Sequence, residues 1–118
     1  MSSVLVVDDE PGIVQFMSAA LEDEGFSVTT ASDGRRATEL AAQRRPDLVV
    51  LDWMLPRLDG DGVAEEIRRM YGDDVPILLV TADGRAQMKA ERVGAFAYLS
   101  KPFDLDRFLN LIRSKLES

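Results

Sequence analysis

The sequence predicts an α/β fold in which a doubly wound parallel sheet is flanked by helices on both faces. Short runs of β-branched or aliphatic residues alternate five times with segments of helical spacing. The first, third and fourth runs are almost continuously apolar, which is typical of parallel strands covered on both faces. With 118 residues the chain is long enough to bury a core, and we expect one domain spanning residues 1–118.

Five strands are expected in chain order. The predicted ranges are Val4–Val7, Ser27–Ala31, Leu48–Leu51, Ile77–Val80 and Ala95–Leu99. The second run is the most polar of the five, which favours a place at the edge of the sheet. In sheets of this kind, ligands bind at the carboxyl ends of the strands.

Amphipathic spacing predicts helices between the strands. In the first helix Ile13, Met17 and Leu21 recur at helical intervals, with Pro11 at a first-turn position and Gly25 where a C-cap is expected. The apolar positions of two later helices are Val63, Ile67 and Met70, and then Leu105, Phe108, Leu109, Ile112 and Leu116.

The segment after Thr81 has a weaker helical pattern. Its apolar positions at helical spacing are Ala86, Ala90 and Val93, so the fourth helix should bury little surface. Weak packing is typical of elements that open or move easily.

Composition narrows the possible chemistry. The chain has no cysteine and no histidine, which excludes disulfides, thiol chemistry and the commonest general base. A bound metal should therefore be a hard, oxygen-preferring ion such as Mg²⁺. The net charge of −7 disfavours binding to nucleic acid or anionic lipid. No apolar run reaches the roughly 20 residues that span a bilayer. We expect a soluble, cytoplasmic protein.

Polar residues stand where the predicted strands end. Strand one leads into Asp8 and Asp9, strand three into Asp52, strand four into Thr81, and strand five into Lys101. Each of these residues has an ordinary structural explanation by itself, because aspartates often cap helices, hydroxyl groups often stabilise turns and lysines are usually exposed at the surface. Their coincidence at one edge of the sheet favours a functional site.

These residue types suit phosphoryl transfer. Three carboxylates at one edge repel one another and raise at least one pKa unless cations intervene. Mg²⁺ relieves that repulsion, and Lys101 offers a further positive charge. Asp52 can then act as a carboxylate nucleophile that forms an aspartyl phosphate, with the cations neutralising the phosphoryl oxygens.

Four segments resemble the receiver domains of bacterial two-component response regulators. They are VLVVDDEP, VVLDWMLPRLDGDG, ILLVTA and GAFAYLSKPFD, and the resemblance extends over the whole chain. It implies a flavodoxin-like sheet of five strands in the order 2-1-3-4-5, with five flanking helices. It also implies a signalling domain that is not a turnover enzyme and catalyses only its own phosphoryl transfer and autodephosphorylation.

Position by position, the resemblance implies that Asp52 accepts a phosphoryl group from a phosphohistidine. Asp9 and Asp52 would ligate Mg²⁺ directly, together with the backbone carbonyl of Met54. Asp8 would act mainly through a bound water. The side chains of Met54 and Asp83 occupy positions that vary in this family and are thought to tune the lifetime of the phosphate.

The remaining implied roles concern the phosphoryl group and a conformational switch. Thr81 would hydrogen-bond the phosphoryl group, Lys101 would pair with it, and the bond before Pro102 would be cis. On phosphorylation Thr81 would shift and Tyr98 would turn inward, which would alter the face formed by helix four, strand five and helix five. The plainer interpretation of Tyr98 is an edge-strand aromatic that stays in place.

The resemblance also implies the partners. A histidine kinase or a phosphotransfer protein would supply the phosphoryl group, and a downstream effector protein or a C-terminal output domain would respond to it. A single-domain regulator and a receiver taken from a longer protein are both compatible with the sequence. We expect no direct binding to nucleic acid or membrane by this chain.

Three other functions stay open. A hydrolase of the haloacid-dehalogenase type needs a second aspartate two residues after its nucleophile, where this chain has Met54. A flavodoxin would hold its flavin phosphate in the loop after strand one, but the acids of DDEPG would repel a phosphate. A degenerate receiver, acting as a phosphorylation-independent interaction module, needs only the fold, and failure to bind Mg²⁺ would favour it.

Overall fold

The fold is known from a computed structural model that describes residues 2–82 and 84–117. Strands and helices alternate throughout. In chain order they are β1 Ser3–Val7, α1 Pro11–Asp23, β2 Ser27–Ala31, α2 Gly34–Gln43, β3 Leu48–Leu51, α3 Gly60–Tyr71, β4 Ile77–Thr81, α4 Ala86–Val93, β5 Ala97–Ser100 and α5 Leu105–Glu117.

The five strands form one parallel sheet in the order β2-β1-β3-β4-β5, which confirms the predicted topology. The polar strand β2 lies at one edge, as expected. In the register of the sheet Val7 pairs with both Ala31 and Leu51, and Leu51 pairs with Leu79. The carboxyl ends of neighbouring strands therefore lie side by side.

Two hydrophobic cores cover the two faces of the sheet. Successive side chains of a strand point to opposite faces, so Val4 and Val6 pack with α1 and α5 while Leu5 and Val7 pack with α2 and α3. Phe108 is fully buried in the core that contains Val4 and Val6. Each large aliphatic side chain buried in this way contributes about 1.5–3 kcal/mol, and this burial holds the strand ends in fixed positions.

Local sequence signals set the ends of the helices. Asp33 and Asp59 are the N-caps of α2 and α3, and each side chain accepts a hydrogen bond from a backbone N–H three residues later. Helix α1 begins at Pro11, as predicted. It ends at Asp23, and Gly25 follows with a φ of 93°, while the N–H groups of Gly25 and Phe26 donate to carbonyls of the last turn.

The fifth strand starts later than predicted. The expected range was Ala95–Leu99, but β5 covers Ala97–Ser100. Gly94 takes the left-handed conformation that ends α4, and the Ala95 N–H donates to the carbonyl of Ala90. Ala95 therefore belongs to the helix cap, a role that its apolar side chain does not reveal.

Helix α4 buries Ala86, Ala90 and Val93, which confirms the small apolar face predicted for it. Its C-terminal end is held by Arg68 of α3. The guanidinium of Arg68 donates to the carbonyls of Val93 and Gly94 at 3.2 and 2.8 Å. It also donates to the carbonyls of Gly72 and Val75, at 3.4 and 3.1 Å, in the segment between α3 and β4.

None of the described helices has both the length and the apolar character needed to cross a membrane.

We expect Arg68→Ala to lower the free energy of unfolding by about 2 kcal/mol, since it leaves several backbone carbonyls without a charged donor. Arg69→Ala is the matched control, because the Arg69 guanidinium contacts Glu66 on its own exposed helix face. That control should change stability by less than about 0.5 kcal/mol. Urea unfolding followed by Trp53 fluorescence measures both, and equal effects would contradict the role of Arg68.

Candidate functional site

Polar side chains are buried at the carboxyl edge of the sheet. Within the two described ranges, the buried polar or charged residues are Asp8, Asp52 and Thr81, and all three follow or end central strands. Their exposed fractions are 1%, 5% and 0%. Burying polar groups opposes folding unless partners compensate, so their concentration at one edge marks a site with a purpose other than stability.

Backbone hydrogen bonds extend the sheet beyond its strands and bring these residues together. The N–H of Asp8 donates to Ala31, that of Asp52 donates to Val7, and that of Lys101 donates to Thr81, at 3.0–3.1 Å. The peptide bond between Lys101 and Pro102 is cis. The two acids and the lysine therefore leave the edge of one continuous sheet.

Gly60 allows the loop after β3 to pack tightly beside Asp52. A Cβ atom at position 60 would lie 2.6 Å from the Asp52 carbonyl oxygen and 2.7 Å from the Cα of Trp53, closer than real Cβ atoms approach such atoms. The Met54 N–H donates to Asp52 Oδ1 at 3.3 Å. One carboxylate oxygen of Asp52 is thus oriented by its own loop.

The Lys101 ammonium lies among three carboxylates. Its Nζ atom is 2.7 Å from Asp8 Oδ2, 2.8 Å from Glu10 Oε1 and 3.0 Å from Asp52 Oδ2. The side chains of Lys101, Asp8 and Asp52 are nearly buried, so the charges of these three residues interact with little screening by water, whereas Glu10 is exposed. Lys101 therefore neutralises part of an otherwise repulsive acidic cluster.

The pKa values reflect this arrangement. Burial raises the pKa of the Asp8 carboxyl, and the nearby Asp52 charge adds to that effect, although the Lys101 ammonium and a hydrogen bond from the Glu10 N–H oppose it. Burial of Lys101 disfavours its charged form. The contacts with Asp8, Glu10 and Asp52 outweigh that cost and raise the pKa of Lys101 well above its ordinary value. Lys101 is positively charged at neutral pH.

The other predicted site residues lie around this cluster. Asp9 is exposed and is not among the three acids whose oxygens lie close together. The Met54 side chain is 64% exposed. Tyr98 is 38% exposed, with its hydroxyl 3.5 Å from Gln87 Oε1 of α4. Asp83 lies outside the described residues.

Glu10 belongs to the cluster, although its position in the sequence did not identify it as a site residue. Carboxylate oxygens of Asp8, Glu10 and Asp52 all lie within 4.8 Å of one another. The available signal was the run of three consecutive acids that ends in Glu10. Acids directly before a helix normally indicate capping, so this signal was easily assigned to local structure.

The donor set suits a hard divalent cation. All the close ligand candidates are carboxylate oxygens, which Mg²⁺ prefers to nitrogen or sulfur. Asp8 Oδ2 is buried, and its contact with Lys101 Nζ lacks hydrogen-bond geometry. A cation beside Asp8 and Asp52 would meet an excess of negative charge.

A five-stranded parallel sheet with acids and a lysine at its carboxyl edge defines the receiver class of signalling domain. The chain belongs to the response regulator receiver domain family, whose sequence profile matches residues 4–113. Membership of this family argues against the two alternative functions, a hydrolase of the haloacid-dehalogenase type and a flavodoxin.

Sequence similarity to known response regulators supports this assignment. The chain is 44% identical over 115 residues to the response regulator MprA of Mycolicibacterium vanbaalenii, covering 96% of this chain and 49% of that protein. The chain thus spans about half the length of the curated relatives that it matches.

Two solved structures are also similar. The response regulator TrrA of Thermotoga maritima, in complex with Mg²⁺-BeF, has 34% identity and a TM-score of 0.86, covering 98% of this chain and 100% of that one. The receiver domain of a sensor histidine kinase from Pseudomonas aeruginosa PAO1, with a magnesium ion in its active-site cleft, has 31% identity and a TM-score of 0.89, covering 99% and 98%.

We expect Asp8→Asn to raise the free energy of unfolding by about 1 kcal/mol in metal-free buffer, because it removes one of three crowded charges and leaves Lys101 paired with two acids. In the same variant, stabilisation by Mg²⁺ should fall, because the ion loses a nearby carboxylate. Thermal unfolding with EDTA and with MgCl₂ measures both effects. Destabilisation of Asp8→Asn in EDTA would contradict this account of the cluster.

Proposed function

We propose that this chain is a phosphoacceptor domain of a two-component system, in which Asp52 receives a phosphoryl group from the phosphohistidine of a histidine kinase or phosphotransfer protein. The observation that carries the proposal is the convergence of Asp52, Asp8 and Lys101 at one edge of the sheet, with Lys101 Nζ within 3.0 Å of both acids. Membership of the receiver family supports it.

In the proposed reaction a carboxylate oxygen of Asp52 attacks the phosphorus atom of phosphohistidine. A phosphorus–oxygen bond forms while the phosphorus–nitrogen bond breaks, and its electron pair stays on the imidazole, which is then protonated by water. Lys101 donates to an oxygen of the transferred group, and the buried Thr81 hydroxyl donates to another. The aspartyl phosphate is later hydrolysed when water attacks phosphorus and releases inorganic phosphate.

Mg²⁺ would be held by Asp9, Asp52 and the Met54 carbonyl, with Asp8 acting through a water. When bound, the ion supplies positive charge that offsets the negative charge of the phosphoryl oxygens. The magnesium complexes of the similar Thermotoga and Pseudomonas domains support this choice of metal. The chain catalyses only its own phosphorylation and dephosphorylation and is not a turnover enzyme.

Incubation with acetyl phosphate and Mg²⁺ should add one phosphoryl group to the chain, detected by intact mass. Asp52→Asn should gain none, and neither should the wild-type chain in EDTA, since the first lacks the nucleophile and the second lacks the metal. Failure of the folded wild-type protein to gain mass would favour the degenerate receiver, an interaction module that works without phosphorylation.

Phosphorylation should alter the face formed by α4, β5 and α5. Thr81 would move toward the phosphoryl group, and Tyr98 would turn from its position beside Gln87 into the space that Thr81 leaves. The small buried face of α4 makes this element the easiest to displace. The altered face would signal to an effector protein or to an output domain C-terminal to residue 118, in keeping with the greater length of the curated relatives.

We expect amide hydrogen exchange in α4 and β5 to change when the chain is phosphorylated, while exchange in β1 stays the same. Thr81→Ala should accept phosphate at Asp52 but show a much smaller change in α4, because the hydroxyl that links the two is gone. Near-identical exchange in α4 with and without phosphate would contradict the proposed switch.

A further inference from the structure

Glu10 forms an ion pair that the proposed reaction does not use. Its Oε1 atom lies 2.8 Å from Lys101 Nζ, and the two residues are 91 positions apart in the chain. The Glu10 side chain is 57% exposed, whereas that of Lys101 is 8% exposed. The contact therefore joins a solvated acid to a nearly buried base.

The local role expected of Glu10 is not fulfilled. Glu10 is the N-cap residue of α1, a position at which side chains usually accept a hydrogen bond from the first turn, but its side chain makes no such bond. Its backbone is nevertheless held at the site, because its N–H donates to Asp8 Oδ1 at 3.0 Å. The side chain extends to Lys101 instead of capping the helix.

Three carboxylates surround the ammonium group of Lys101. Its Nζ atom donates to Glu10 Oε1 at 2.8 Å and to Asp52 Oδ2 at 3.0 Å, and Asp8 Oδ2 lies 2.7 Å away as an ion pair without hydrogen-bond geometry. A phosphoryl group on Asp52 brings new oxygens that also need this donor. With three carboxylate oxygens already around Nζ, a phosphoryl oxygen competes with one of them for its place, and Glu10 leaves at the lowest cost because water can solvate its exposed carboxylate.

We propose that Glu10 is a competing carboxylate, which occupies Lys101 in the unphosphorylated chain and has to leave before Lys101 can bind a phosphoryl oxygen. This inference rests on the proposed function of Asp52. Glu10 is thus a positioning residue that acts through Lys101 and opposes occupation of the site by an anion. It is not a ligand of the metal.

The proposal predicts that Glu10→Gln affects the binding of two ligands differently. An anionic phosphoryl analogue should bind more tightly, because the variant removes both the competition for Lys101 and a repelling charge. Mg²⁺ alone should bind equally well or slightly more weakly, because a nearby negative charge is lost. A metal-ligand role for Glu10 predicts weaker binding of both, and a bystander role predicts no change in either.

The experiment is a pair of titrations followed by the fluorescence of Trp53, which is the one tryptophan of the chain and is adjacent to Asp52. The first titration uses MgCl₂ alone. The second uses beryllium fluoride at saturating Mg²⁺, an analogue of the kind bound to the Thermotoga relative. Both are run on the wild-type chain, Glu10→Gln, Glu10→Asp and the control Glu65→Gln, after circular dichroism has shown that each is folded.

We expect Glu10→Gln to bind beryllium fluoride roughly fivefold more tightly than the wild type, at the upper end of what one partly exposed charge pair gives. Glu10→Asp keeps the charge but shortens the side chain, so it should show a smaller increase. Glu65 is an exposed acid on α3, and Glu65→Gln should match the wild type in both titrations.

Three other outcomes would overturn either the competing role of Glu10 or the proposed function of Asp52. Equal beryllium fluoride affinities in the wild type and Glu10→Gln would overturn the competing role alone. Loss of affinity for both Mg²⁺ and beryllium fluoride in Glu10→Gln would overturn it in favour of a metal ligand. Absence of any beryllium fluoride response in the folded wild-type chain would overturn the proposed function, and this inference with it.

Discussion

The arrangement of the site depends on one ammonium group among several carboxylates. Lys101 Nζ contacts three acids that come from two different strand ends and a helix start. Without that charge, the buried Asp8 and Asp52 would repel each other in surroundings where water screens poorly. The lysine thus makes it possible to collect acids at the edge of the sheet, and their carboxylate oxygens are of the kind that hard divalent cations prefer.

The sheet supplies the rigidity that this cluster requires. Strands β1 and β3 are buried on both faces between two hydrophobic cores, so their carboxyl ends cannot shift apart when the acids repel. The favourable free energy of hydrophobic packing elsewhere in the fold offsets the repulsion between these acids. Binding of a cation or transfer of a phosphoryl group, as proposed, would act on a structure whose charges are already positioned, which would lower the reorganisation that either event requires.

The sequence predicted most of this because each feature has a local cause. Continuous apolar runs identify central parallel strands, and the residues directly after them must lie at one edge, so Asp8, Asp52 and Lys101 could be grouped without coordinates. The start of β5 could not be predicted as well, because Ala95 is apolar in either role and the cap at Gly94 decides the boundary.

Glu10 and Asp9 illustrate a different limit. Their order in the chain says which residues are near the site, but the side-chain torsions decide which carboxylate faces Lys101. In the structure Glu10 reaches the ammonium and Asp9 is exposed, an outcome that depends on a contact with a residue 91 positions away. The sequence can place residues at the same edge of the sheet, but it does not show which of two adjacent acids contacts the lysine.

The hydrogen bonds of Arg68 have a mechanical consequence for α4. They attach its last turn to the C-terminal end of α3 and to the segment before β4, whereas the opposite end has Arg85 at its N-cap without a side-chain cap. An eight-residue helix is about 12 Å long, so a small rotation about the attached end is amplified along that length. In the proposed switch Arg68 would therefore be the pivot of α4, and the end of the helix nearest Thr81 would move furthest.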